Sequence, residues 1–370
     1  MQNQLYHLNN SSKIFWLIFH VLLGIFSSFS SWVLVFWFYL FVLLSVNKII
    51  SDLFFRDSID SYLPFLVYLC SFEVFARMLQ AYPYIPWELS KYFIISSCII
   101  IIIFSKTKIK LNILGIILLM LLIPSILIDK SNSVIFSDIS FNLFGMIGAS
   151  LLLMIFYSYK IKDVEFDYLL RLLWYTSVSL LIFTIIKTPS NAEMEFTLGA
   201  GFQATAGFGS NQVTTILGIG MFLSFYAWMN KLLFSGIHGL DGLFIGLFAY
   251  QGFLTFSRGG MIIGILAMFI YYFLFRVSNS FKKVIELRRI RPFIFFGLAI
   301  LLLIISYMSI ENITKGNITL RYLGDTAGTL SGEKMKTINT ITTGRYEIAL
   351  ADLALWSDYP IFGTGVGASR

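Results

Sequence analysis

Charge is what this chain most lacks. Of 370 residues, only 13% are Asp, Glu, Lys or Arg, against roughly 25% in soluble globular domains, whose surfaces must be wetted. That shortage excludes a cytosolic enzyme, a disordered regulator and a nucleic-acid binder. Cysteine is nearly absent too. Cys70 and Cys98 stand alone in separate apolar runs, which excludes a secreted disulfide scaffold and gives a thiolate metal site no support. The three histidines, His7, His20 and His238, never fall at ligand spacing, and each is read as an interfacial or loop residue. No Walker loop, G-x-G-x-x-G after a strand, H-E-x-x-H or G-x-S-x-G is found, so no nucleotide, metal or other cofactor is expected.

What is present is apolar length. Hydrophobic residues make up 57% of the chain, gathered into about eleven runs close to the roughly 20 residues that span a bilayer. They cover Ile14–Phe29, Trp32–Val46, Tyr62–Gln80, Tyr92–Phe104, Leu111–Ile128, Ser140–Ser158, Leu169–Ile186, Asn211–Met229, Leu240–Thr255, Gly259–Phe275 and Phe293–Ile310. The first two are close enough to form a tight hairpin. Lys13 precedes the first run without a small-residue cleavage site after it, the pattern of a signal anchor. The expected fold is therefore an all-α polytopic membrane protein of about eleven transmembrane helices. Residues 1–310 form the bundle, and residues 311–370 form a large extracytoplasmic loop.

Orientation follows from where cations fall. One set of alternate segments holds about sixteen lysines and arginines, among them Lys48, Lys106, Lys108, Lys110, Lys160, Lys231, Lys282 and Lys283; the other holds Lys91, Lys130, Lys187 and Arg258. The positive-inside rule makes the richer side cytoplasmic. The formal net charge of +7 is then mostly topological, the N-terminus lies inside, and residues beyond Ile310 lie outside.

The outer face carries the unusual segments. Arg258 lies between two apolar runs in Thr255-Phe256-Ser257-Arg258-Gly259-Gly260. An arginine near lipid is costly unless paired, and its planar donor fork suits phosphate or carboxylate. Gly259 and Gly260 would let a bulky headgroup approach; the plainer reading is a snorkelling arginine on phospholipid. Arg345 opens a segment with Ile348, Ala351 or Asp352, and Leu355 at helical spacing, which predicts an amphipathic helix on the outer membrane surface or an ordinary loop helix. Thr342, Thr343 or Gly344 would cap its start, and Asp358, Pro360 and Gly363 would stop it. A cation at that start opposes the helix dipole, so Arg345 either meets an anion or stays solvated. Glu73 and Arg77, the only charges read inside a span, are four apart and pair along one face; Arg77 also lies toward the outer end. Asn211 either donates hydrogen bonds to a ligand or caps its helix.

These residues resemble a family. T-F-S-R-G-G between two late spans, then an outer segment T-G-R-Y-E-I-A-L-A-D-L-A-L-W-S-D-Y-P-I-F-G-T-G-V-G (343–367), is similar to the O-antigen ligase and O-antigen polymerase superfamily of bacterial inner-membrane glycosyltransferases. G-F-G-S-N (207–211) is similar to that family's G-x-F-x-x-N stretch, with Gln203 where an arginine often precedes it. The resemblance implies metal-independent transfer of a glycan from an undecaprenyl-pyrophosphate donor to a glycan or lipid-core acceptor, alongside other polysaccharide assembly proteins. Arg258 and Arg345 would stabilise the leaving pyrophosphate; Asn211, Arg77, Gln203, Gly259 and Gly260 would line the substrate site. The family's outer-loop histidine base would fall beyond Arg370, which implies a truncated, inactive chain with Glu347 or Asp352 as fallback bases. The competing class is a transporter or lipid-linked-glycan flippase, which favours charged or broken helices near the midplane and internal repeats; a structural scaffold is a third.

Overall fold

A computed structural model describes residues 9–56, 58–105, 111–127, 136–190, 194, 196, 198–199, 201–280 and 287–361. Among these the fold is all α, with no strand. The chain order is α1 (Asn10–Phe29), α2 (Ser31–Ser51, continued by a π turn at Asp52–Arg56), α3 (Tyr62–Met78), α4 (Leu89–Phe104), α5 (Ile113–Leu127), α6 (Phe136–Phe156) and α7 (Asp163–Lys187). Then come α8 (Ser210–Asn230), α9 (Leu240–Leu254), α10 (Arg258–Ser280) and α11 (Leu287–Ile313). Four short or surface helices follow: α12 (Asn317–Tyr322), α13 (Ala327–Leu330), α14 (Ile338–Ile341) and α15 (Arg345–Asp358).

Each of the eleven apolar runs corresponds to one of α1–α11. Among the described residues, six stretches are long and apolar enough to cross a membrane: Asn10–Phe29, Ser31–Phe55, Asp163–Lys187, Ser210–Asn230, Arg258–Arg276 and Pro292–Ile313. The protein is a multi-pass membrane protein. Lys106, Lys108, Lys110, Lys130, Lys282, Lys283, His7 and the glycine-rich stretch from Gly363 to Gly367 lie outside the described residues.

Many hydroxyl side chains inside these helices donate to a carbonyl one turn earlier in their own helix, as an apolar surrounding favours. Ser45 donates to the Phe41 carbonyl (2.7 Å), Ser177 to Leu173 (2.8 Å) and Thr214 to Ser210 (2.6 Å). The helix ends obey ordinary capping chemistry. The Asn9 side chain accepts from the Ser12 N–H at 2.8 Å, and Asp163 and Glu165 stand at the positive end of α7.

The chain packs as two units, and two of the chain positions that divide them fall within α2 and α3. The first comprises Met1–Phe38, Val67–Ile85 and Lys162–Met335; the second comprises Tyr39–Leu66, Pro86–Ile161 and Lys336–Arg370. In the first, α1 packs on α7, α7 on α8, α8 on both α9 and α10, and α9 on α11. Glycines set the α8–α10 spacing. A Cβ on Gly218 would sit 2.3 Å from the Gly260 carbonyl oxygen, and one on Gly264 2.9 Å from that of Gly218, so the backbones touch as small residues permit in membrane helices. Trp174, fully buried on α7, donates to the Ser224 hydroxyl of α8 at 2.8 Å.

Two expectations about polar residues are corrected here. His20 is neither interfacial nor in a loop: it is 1% exposed, bonded to the Trp16 carbonyl (2.8 Å) and the Tyr68 hydroxyl (3.1 Å), and stacked on Tyr175. Partners distant in sequence make an apolar interior tolerable for an imidazole. Nor are Glu73 and Arg77 the only charges inside: Arg171 and Asp241 are also buried. The Arg171 guanidinium lies over the Tyr168 ring at 5.4 Å, and an Asp241 carboxylate oxygen accepts the Ser235 N–H at 2.9 Å, so each has a local partner. His238 is in an exposed loop as expected.

In the second unit α6 packs against α4 and α5. Tyr62 is fully buried, its ring parallel to both Phe93 and Phe156. Its hydroxyl accepts from Ser97 at 3.0 Å and lies 3.6 Å from the Cys98 sulfur.

Candidate functional site

The S-R-G-G segment forms a sharp turn between α9 and α10. Leu254 ends one helix and Arg258 begins the next, leaving three residues to reverse the chain. Phe256 takes a left-handed backbone (φ +56°), held by burial of its ring and by stacking with Phe196 at 6.1 Å between centroids. Thr255 ties the turn to both sides. Its hydroxyl donates to the Gly252 carbonyl (2.7 Å) and accepts the Ser257 N–H (3.2 Å), and it lies 2.7 Å from the Thr214 hydroxyl of α8.

A second strand of connections brings the predicted residues together. Ser257 donates to the Asn211 side-chain oxygen at 2.8 Å, and the Gly201 N–H donates to the Thr255 carbonyl at 2.9 Å. Gln251 of α9 donates to the Ala204 carbonyl at 3.0 Å and to the Thr188 hydroxyl at 2.9 Å. Residues 201–211, with Gln203 opening a 3-10 turn at Gln203–Thr205, are thereby fastened along the end of α9. Asn211 does not cap α8: that position is Gly209, which makes no side-chain cap bond. The Asn211 side chain reaches the arginine turn instead.

Arg258 is half-buried in the first turn of α10. Beside it stands α12, which α11 delivers back to the turn. Asn317 donates to the Phe196 carbonyl at 2.8 Å, and Arg321 Nε donates weakly to the Phe256 carbonyl at 3.4 Å. Arg321 was not singled out from the sequence; it follows the last apolar run in a six-residue helix too short to show periodicity. The next residue, Tyr322, has a buried hydroxyl with no hydrogen-bond partner among the described residues. Burial raises the Tyr322 pKa above its ordinary value, and the Arg258 charge partly opposes that rise.

Gly260 has a packing role here. A Cβ there would lie 2.4 Å from the Thr214 carbonyl, so α8 occupies the space that glycine leaves. Gly259 is half-buried beside it. Arg77 belongs to the same unit, ion-paired to Glu73 one turn earlier on α3, as the spacing predicts. Arg345 belongs to the second unit. It is exposed at the start of α15, behind a left-handed Gly344 (φ +83°) that serves as N-cap. Helix α15 ends at Asp358, close to where the sequence places its start and stop. Glu347 and Asp352 are exposed on it, as are Tyr346, Leu350, Leu353 and Trp356. Tyr346, Leu350 and Leu353 follow helical spacing on the face opposite Ile348 and Leu355, so α15 exposes apolar residues on both sides rather than along one amphipathic stripe.

Chemically, the turn offers an arginine held by backbone geometry, a second arginine alongside, and a hydroxyl–amide pair. Fixed cations in a partly dehydrated setting stabilise developing negative charge without reorganising. Among the described residues no group of His, Cys, Asp and Glu could hold a metal ion. No known protein family, curated protein or solved structure matches the chain.

Proposed function

We propose that this protein is a membrane glycosyltransferase of the bacterial inner membrane that polymerises or ligates a surface polysaccharide such as O-antigen, capsule or exopolysaccharide. The donor is a glycan on undecaprenyl pyrophosphate, and the acceptor is a hydroxyl on a growing glycan or a lipid core. In this reading α1–α11 all span, the N-terminus is cytoplasmic, and the arginine turn and α15 face outward. The donor C1–O bond breaks with its electron pair going to the pyrophosphate, the acceptor oxygen bonds to C1, and a base takes the acceptor proton. Arg258 stabilises the departing pyrophosphate; Arg345 is the second cation that the motif resemblance implies.

One observation carries the reading: the half-buried Arg258 is fixed by a turn that Asn211 and the 201–211 segment hold in place. A lipid-snorkelling arginine needs no such support, whereas an anion-stabilising one does. A flippase or transporter is the alternative.

The test is complementation. A strain deleted for the gene receives wild-type, Arg258→Ala or Arg345→Ala protein, and the surface glycan is resolved by length on a gel. The expected result is loss of the long-chain ladder, or of ligated glycan, at normal membrane expression, with lipid-linked donor accumulating. An unchanged glycan profile in both variants would overturn the reading. Accumulation of donor on the cytoplasmic leaflet alone would point to the flippase.

A further inference from the structure

The first unit contains a cavity of about 630 Å³ that the sequence does not announce. Its size falls within the range of small-molecule sites, roughly 300–1,000 Å³. It forms where α1, α3 and α7 end and where the 201–207 segment passes. On one side is the α1–α2 turn, which contributes Ser27, Ser28, Ser30 and Ser31. Ser30 is the single residue between the two helices, so the polypeptide reverses there and presents hydroxyls beside the exposed Phe29 ring.

The hydrogen-bonding state of these serines matters. Ser28 donates to the Ile25 carbonyl at 2.6 Å, leaving its oxygen able to accept. The Ser27 hydroxyl is buried and has no partner among the described residues. Gln80, in a left-handed conformation (φ +50°) just past α3, and Gln203 add two amides to the lining. Phe183, Phe202 and Met78 add apolar surface.

Charge is the deciding feature. Among the described residues, Lys187, the last of α7, is the one ionisable side chain lining the cavity, and no carboxylate lines it. A C-terminal lysine favours the helix dipole, yet its full positive charge remains at the mouth of a hydroxyl-rich space. Pyrophosphate and phosphate dianions are best matched by several cations or a bidentate arginine. One ammonium among hydroxyls, amides and aromatic faces matches a sugar ring bearing a single carboxylate.

We propose that this cavity binds a monoanionic sugar unit of the uronic-acid class. The inference deepens the glycosyltransferase reading: it rests on that reading for the unit's place in the assembled glycan, but not for binding itself. Lys187 sets the charge specificity, and the serine turn with Gln80 and Gln203 contacts ring hydroxyls.

The experiment uses the whole chain in lipid nanodiscs and saturation-transfer NMR with equilibrium titration. The probes are galacturonic, glucuronic and N-acetylneuraminic acids, each beside its neutral counterpart, with inorganic phosphate as the free-anion arm. At least one acidic sugar is expected to bind tenfold or more tightly than its neutral counterpart. Lys187→Gln should erase that preference and Lys187→Arg retain it, while Ser31→Phe should block binding by filling the space. Three results would overturn the proposal: equal affinity for acidic and neutral sugars, no sugar binding by a chain with normal thermal unfolding, or phosphate binding as tightly as the acidic sugar. If binding fails while transfer still depends on Arg258, the cavity inference alone falls. If binding holds while Arg258→Ala leaves the glycan unchanged, the transfer reading falls.

Discussion

Ser257 donates its hydroxyl hydrogen to the side-chain oxygen of Asn211 across 2.8 Å, joining the turn before α10 to the first turn of α8. Ser257 is 3% exposed, so losing its acceptor leaves a buried hydroxyl unpaired. Asn211→Ala should lower unfolding stability by about 1–3 kcal/mol, and Ser257→Ala by less, because it removes the group rather than orphaning it. The double variant should resemble Ser257→Ala, giving a measurable coupling in a double-mutant cycle. Thermal unfolding of the detergent-purified protein reads all three.

The glycine contacts between α8 and α10 give a sharper contrast. Gly260→Ala would place its methyl 2.4 Å from the Thr214 carbonyl, against backbone that cannot rotate away. The helices must separate, at a cost of about 1–3 kcal/mol or more. Gly297, on α11, meets nothing within 4 Å of an added Cβ, so Gly297→Ala should be neutral or gain up to about 1 kcal/mol from helix propensity. The two variants compared by membrane yield and unfolding temperature separate packing from propensity.

Much of the helical layout was legible because each run of apolar residues records its own burial, in lipid or in protein. The boundaries were less so. Helix α7 begins at Asp163 and α11 at Leu287, several residues before their apolar runs, since a polar first turn is helical without being hydrophobic. The site was legible residue by residue but not as an arrangement. Arg258 advertised itself by breaking the charge rule, whereas the Ser257–Asn211 bond that holds its turn spans 46 positions and leaves no local pattern. His20 misled for the same reason: Tyr68 and Tyr175 make it a core residue, and nothing near it in sequence says so. The serine-lined cavity draws on several separated segments, each unremarkable alone.

Tyr322 gives a pH-dependent prediction. Burial raises its folded pKa, so the folded state holds the phenol proton more tightly than the unfolded chain does. The resulting stabilisation is fully present below the unfolded value of about 10 and is lost as pH rises above it. Tyr322→Phe should therefore show a shallower loss of stability between pH 9 and 11, roughly. Near neutral pH it should be neutral or slightly stabilising, since the hydroxyl it deletes has no partner among the described residues. Arg258→Ala should steepen the alkaline loss, because that charge favours the phenolate. Denaturant titrations across pH, compared with wild type, measure each slope.

Arg321 distinguishes a site built by the bundle from one carried by Arg258 alone. Its Nε reaches the Phe256 carbonyl at 3.4 Å, a long bond that contributes little to stability. Expression and unfolding temperature of Arg321→Ala are measured alongside transfer, so that a rate effect is read only in stably folded protein. If glycan transfer relies on positive charge at this turn, as proposed, the same change should slow transfer by roughly tenfold or more, while Arg321→Lys should retain part of the rate because the charge remains. Arg258→Ala should be more damaging, by roughly a hundredfold or more, the scale seen when one fixed donor to a developing anion is removed. Glycan length and donor turnover in membranes from the complemented strain read both effects. Full transfer with Arg321→Ala would assign α12 to scaffolding and leave Arg258 as the turn's only functional cation.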